Sequence, residues 1–157
     1  MSHRISIRPV TRADVTTVAE VNAKAHWEAY APLFGARART LDLEAVRDRW
    51  IKALDDDDLA FVAVDNGDII GVALAHRDHV DAIYLRAPYH RQGVGRRLVH
   101  HVLRAMRDQG HQEAKFEVLA INVGAVAFYK SLGAKVVGQG AASDSDNDVF
   151  FRIETLC

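Results

Sequence analysis

One cysteine occurs in 157 residues, and it is the last of them, Cys157. That excludes an intramolecular disulfide framework and any cysteine-rich metal site; a reducing, cytoplasmic setting is the simplest expectation. No apolar run reaches the ~20 residues a membrane-spanning helix needs, so no membrane association is expected. The start, Met1-Ser2-His3-Arg4-Ile5-Ser6, has no apolar h-region, so no secretion signal is expected. An excess of one charge is missing too. Twenty basic against 21 acidic residues leave a formal net charge of -1, with no overall pull toward nucleic acid or an anionic membrane. Internal repeats, low-complexity tracts and long linkers are also absent. What is present is an ordinary globular composition, 49% hydrophobic and 26% charged, at a length that suits one domain over residues 1–157.

Periodicity divides the chain into short elements. Ile5 to Arg8 alternates apolar and polar, as a first strand would. Thr11 with Asp14 three residues on predicts a helix start, followed by Val15, Val18, Ala19, Asn22 and Ala25 at helical spacing. Residues 26–40 hold Pro32 and Gly35 and are predicted irregular. A second helix runs from about Asp42 to Leu54, with Leu43, Val46, Trp50 and Leu54 on one face. Asp55 to Asp58 lacks the alternating spacing of a calcium loop and reads as a solvated turn. Leu59–Val64 and Ile69–Ala75 read as strands joined by Asp65-Asn66-Gly67-Asp68, a strong hairpin signal. Val80–Leu85 is a strand, Arg96–Gln109 a helix, Lys115–Ala120 a strand, and Gly124–Leu132 a helix ended by Gly133. Two last strands fall near Lys135–Gly138 and Val149–Glu154. The order, βααβββαβαββ, is that of a mixed α/β domain. His76-Arg77-Asp78-His79 could suggest a metal, but it flanks a tight turn and no third ligand pair is near, so no metal is expected.

The junction His90-Arg91-Gln92-Gly93-Val94-Gly95-Arg96-Arg97 carries the chemistry. A strand leads into it and a helix leaves it. Its glycines let a ligand approach the backbone closely, and the helix start offers unpaired N–H groups at a positive dipole end. Together these make an anion site, usually for phosphate, without naming the cofactor. A P-loop nucleotide site would place Lys-Ser/Thr after the glycines; here Arg96-Arg97 follows.

The loop His90 to Gly95 resembles the Gln/Arg-x-x-Gly-x-Gly/Ala pyrophosphate loop of the GNAT acetyltransferases. The stretch Glu117 to Ala134 looks like the second half of their cofactor site: a strand, then Asn122, then a short helix bearing Phe128-Tyr129, then Leu132-Gly133. The element order matches that fold as well. Three positions depart from the pattern: His90 replaces Gln or Arg, the usual Pro is shifted to Pro88 behind Ala87, and Ala134 replaces an aromatic.

The resemblance implies acetyl transfer from acetyl-CoA to a primary amine by direct attack in a ternary complex, with no metal. It implies a cofactor site of His90, Arg91, Gln92, Gly93, Val94, Gly95 and Arg96, with Phe128 and Tyr129. Main chain near Leu85, Arg86 and Ala87 would pair with the pantetheine arm, as in strand addition, and an N–H near Leu85 would polarise the thioester. Asn122 would bond the pantetheine, cap the following helix, or do both. Tyr129 would be the general acid, unless it is a core aromatic. Glu117 or Asp81 would be the base, or a water chain would serve instead. Trp27, Glu28 and Tyr30 are the acceptor-site candidates, against plain packing. The acceptor is read as a small molecule, with a protein N-terminus as rival; a non-catalytic acyl-CoA sensor would keep the loop alone. A homodimer is compatible with the family, though no residue argues for it.

Overall fold

A computed structural model describes residues 4–141 and 149–157. The elements are β1 (Ile5–Pro9), α1 (Val15–Phe34), α2 (Leu43–Asp55), β2 (Leu59–Asp65), β3 (Asp68–His76), β4 (His79–Leu85), α3 (Val94–Asp108), β5 (Glu113–Leu119), α4 (Val123–Ser131), β6 (Lys135–Ala141) and β7 (Val149–Leu156). This is the succession the sequence predicts. The strands form one sheet in the order β1-β2-β3-β4-β5-β7-β6. Its neighbours are antiparallel except β4 and β5, which α3 joins as a parallel pair. Among the described residues no helix is long and apolar enough to cross a membrane.

Helices cover both faces. The inner stripe of α1, Val15, Val18 and Val21, packs with Trp50 and Ala53 of α2 on Val62, Val72, Leu74 and Ala82. Inside this layer the Trp50 indole N–H donates to Asn22 Oδ1 at 3.0 Å, which satisfies the one polar side chain of the stripe. On the other face Leu98, Val99, Val102 and Met106 of α3 pack with Val126 of α4 on Ala73, Val80, Phe116 and Ile153. The β2–β3 hairpin turns at Asn66 and Gly67, both with positive φ (50° and 92°), as an Asn-Gly turn requires.

Three predicted details need correction. Residues 26–34 are helical, because α1 continues through Pro32 to Phe34. Pro32 falls in the last turn, where a missing N–H forfeits one bond late in the helix. The rings of His26, Tyr30 and Phe34, four residues apart, offset that loss, with successive centroids 4.6 and 5.9 Å apart. The chain leaves the helix at Gly35, whose φ of 54° a side chain would resist. Leu43 is exposed rather than on the inner face of α2. Finally, α3 begins at Val94, directly after Gly93, so the glycine loop runs into the first turn of the helix.

The feature that positions the site is a fork. Between β3 and β4, Ala75 lies opposite Val80 but Leu74 lies opposite Ala82, so Asp81 is an extra residue on β4. Such a bulge bends its strand and re-aims it. The β4–β5 pairing ends at that point: His79–Lys115 and Val80–Phe116 are its only pairs. Beyond it, β4 stays with β3 as far as Leu85–Gly71, and β5 stays with β7 as far as Leu119–Phe150. Each prong is held from outside, and the space between them is open.

Candidate active site

The fork is a cavity of about 720 Å³. Its walls are β4 from Val80 to Leu85, β5 from Phe116 to Val118, residues of α1, the glycine loop and one face of α4 from Gly124 to Tyr129. The edge of β4 supplies main-chain groups. Arg86 N–H donates to Ile70 O at 2.9 Å, on the β3 side. Successive peptide groups alternate, so the N–H and C=O of Leu85 face the fork. Ile70 and Arg86 thus consume one edge and leave Leu85 on the other.

At the mouth of the fork lies the glycine loop. Arg91 and Gly93 are left-handed, with φ of 61° and 79°. Gly93 caps α3, and the first intrahelical bond runs from Arg97 N to Gly93 O. The N–H groups of the first turn therefore lack helical partners. His90, Arg91 and Arg96 line the same end of the cavity. Left-handed residues beside a helix start form an anion-binding concavity, here with mobile positive charge around it.

At the head of the fork three phenols converge: Tyr30 from α1, Tyr84 from β4 and Tyr129 from α4. The Tyr129 ring is fixed by Phe116 and Phe128, with centroids 4.7 and 5.3 Å away. Burial, with smaller contributions from Tyr30 and Tyr84, pushes its hydroxyl well above the ordinary 10, so it keeps its proton. Burial likewise pushes Tyr84 up to about 12, with Tyr30 adding to the rise and Arg49 opposing it. Tyr30 is also raised by burial, against a hydrogen bond from the Asn122 side chain. Asn122 Oδ1 accepts from Ala125 N at 3.1 Å, so this residue caps α4 while lining the fork with Tyr30. Asp81 and Glu117 line the cavity as exposed carboxylates.

Most of the residues singled out from the sequence gather here. Leu85, His90, Arg91, Gly93, Gly95, Arg96, Asn122, Phe128, Tyr129, Glu117, Asp81, Glu28 and Tyr30 all line the fork. Others do not. Arg86 and Ala87 are off the lining, and the Arg86 side chain instead pairs with Glu28 at 2.5 Å, tying α1 to the end of β4. Gln92 turns back to Pro88 O at 2.9 Å. Val94 is buried against Ala63 and Ile70. Trp27 is 41% exposed and is not part of the cavity wall. His76 bonds Asp58 and Asp78 pairs with Lys115, and no described cluster could hold a metal ion.

Tyr84 was not singled out from the sequence. Its signal was hidden by the bulge, which moves Ala82 and Tyr84 to the α1 side of the sheet while Val80 faces α3. His26, four residues before Tyr30 on α1, joins the same aromatic stack and also meets the Tyr84 ring.

Residues 23–134 match the model of the acetyltransferase (GNAT) family. In sequence, the chain is 37% identical to human N-acetyltransferase 8 over 57 residues, which are 36% of this chain and a quarter (25%) of that protein's length. In structure, it is similar to the ribosomal-protein-S18-alanine N-acetyltransferase of Escherichia coli, with a TM-score of 0.76 at 19% identity, covering 97% of this chain and 93% of that one. It is similar as well to yncA of Salmonella typhimurium, solved with its cofactor acetyl-CoA, with a TM-score of 0.74 at 18% identity and the same coverage, 97% and 93%. The family match covers both prongs of the fork, from the middle of α1 through the glycine loop to Ala134. This chain belongs to the acetyltransferase (GNAT) family.

Proposed function

We propose that this protein transfers the acetyl group of acetyl-CoA to the primary amine of a small molecule, by direct attack within a ternary complex. One observation carries the reading: the fork offers the main-chain edge of Leu85 that β3 does not pair, the glycine loop at its mouth and the protonated Tyr129 at its head.

The residues present fit acetyl-CoA. First-turn amides from Val94 to Arg96, with Arg91 and Arg96, hold the pyrophosphate. The Leu85 edge takes the pantetheine arm as a sheet edge takes an added strand. When bound, acetyl-CoA supplies an activated acyl group. The chain's own part is to orient and to move protons. As the C–N bond forms and the C–S bond breaks, Tyr129 gives its proton to the departing sulfur. An alkyl amine with a pKa of roughly 10 must first lose a proton, and Glu117, directly or through water, takes it. Asp81, on the bulge, is the second candidate base.

The fold likeness to an enzyme named for a ribosomal-protein alanine keeps a protein N-terminus as the second acceptor class. A panel of small amines, amino acids and an alanine-initiated peptide, assayed by release of free thiol, separates the two. Turnover with none of them, despite tight coenzyme A binding, would favour a sensor instead. With the acceptor in hand, Glu117→Gln is expected to lower kcat by about tenfold or more and flatten its rise with pH, and Asp81→Asn to do less. The opposite ranking would transfer the base to Asp81.

A further inference from the structure

On the acetyl-CoA reading, the Leu85 carbonyl is one of the groups the cosubstrate arm must reach. In the protein alone that carbonyl is already engaged. His90 Nε2 lies 2.7 Å from Leu85 O. A carbonyl only accepts, so Nε2 carries the proton and donates it. The ring comes from the first position of the glycine loop, is exposed, and lines the fork beside Leu85.

The geometry points to His90 as an internal stand-in for the cosubstrate: its imidazole holds the Leu85 carbonyl in the free protein and is displaced by the amide-bearing arm of the ligand. Two observations support displacement over a fixed brace. The bond lies on the open edge of β4, the one that Arg86 and Ile70 leave free. And the turn behind it is closed without the ring, by Tyr89 N to Arg86 O, His90 N to Ala87 O and Gln92 Nε2 to Pro88 O. The turn therefore keeps its shape when the imidazole swings away. A ligand that fills only the anion end would leave the His90–Leu85 bond intact, whereas one that carries an amide arm along β4 would break it.

The test compares coenzyme A with ADP, which has the pyrophosphate but no arm, by calorimetry on the wild-type protein, His90→Ala and His90→Gln. The alanine variant is expected to bind coenzyme A about two- to tenfold more tightly, the range of one neutral hydrogen bond, with no such gain for ADP. The glutamine variant restores a donor and is expected to return toward wild type. In the wild type, the imidazole Nε2–H resonance is expected to persist with ADP and vanish with coenzyme A. Coenzyme A binding that is unchanged or weaker in His90→Ala, or an equal change for ADP, overturns the stand-in role while leaving the acetyl-CoA reading in place. No coenzyme A binding by the folded wild type overturns both.

Discussion

From β1 to β4 the sheet is paired along its length, its hairpins are short, and α1 and α2 seal one face around Trp50 and Asn22. From β5 to β7 pairing is equally regular, with β7 between β5 and β6. Within the sheet the two halves pair only at His79–Lys115 and Val80–Phe116, while α3 bridges them through one shared core. Because α3 packs on strands of both halves, the seam can stay open without leaving either half unsupported. Unpaired strand edges are usually a liability in a protein, and here they face a cavity in which a ligand can supply the missing partner. Strand pairing is thus concentrated within the halves, and the open edges along the seam.

Substitutions on either side of that division can break it. The largest effect is expected at the seam. Tyr129→Phe keeps the ring between Phe116 and Phe128 but removes the proton, and is expected to lower kcat about a hundredfold or more with melting temperature unchanged. Because burial holds the hydroxyl above 10, the wild-type rate is expected to show no loss of this acid up to about pH 10. A Tyr129→Phe enzyme of normal turnover would remove the acid role. Next, Asn22→Ala leaves the buried Trp50 N–H without an acceptor and is expected to cost about 2 kcal/mol, a fall in melting temperature of roughly 4–8 °C. Coenzyme A affinity of the folded fraction, measured by calorimetry, is expected to stay unchanged; a matching loss of binding would show that the α1–α2 layer and the seam are coupled.

The smallest effect lies farthest from the seam. Asp14 accepts two bonds from Arg8, at 2.7 and 3.0 Å, and further bonds from Thr11. The Arg8 guanidinium, more than the Thr11 contacts, holds its carboxyl well below the usual carboxylate range, against the opposing effect of burial. A folded-state pKa below the unfolded value of about 3.9 means the stabilisation is present above that value and fades as pH falls through it. Arg8 is 43% exposed, so solvent screening limits the expected cost of Asp14→Asn to about 1 kcal/mol at pH 7. The difference from wild type is expected to shrink in melts below about pH 4. A constant difference across that range would assign the effect to packing.

Much of this was legible in the sequence, for identifiable reasons. The apolar stripes of α1 and α3 and the Asn66-Gly67 turn are local patterns, and local patterns survive folding. The glycine loop was legible because its chemistry is in its backbone and its place between strand and helix. The fork was not. It depends on a bulge at Asp81, and nothing in Val80-Asp81-Ala82 announces which residue two neighbouring strands will leave unpaired. The same slip concealed Tyr84. Trp27 illustrates the converse: a large aromatic near the right motif reads as a site residue, yet helix α1 continues past it and the side chain is left exposed.

A ligand lying along the open edge of β4 is what joins the fork to the proposed chemistry. Residue-resolved amide hydrogen exchange, with and without coenzyme A, tests it most directly. Leu85 N–H faces the fork and is expected to be unprotected alone and protected with ligand, together with Val94, Gly95 and Arg96. Arg86 N–H, already bonded to Ile70 O, is expected to change little. Protection that leaves Leu85 untouched, or that appears instead around Asp58 and His76 at the far end of the sheet, would contradict it.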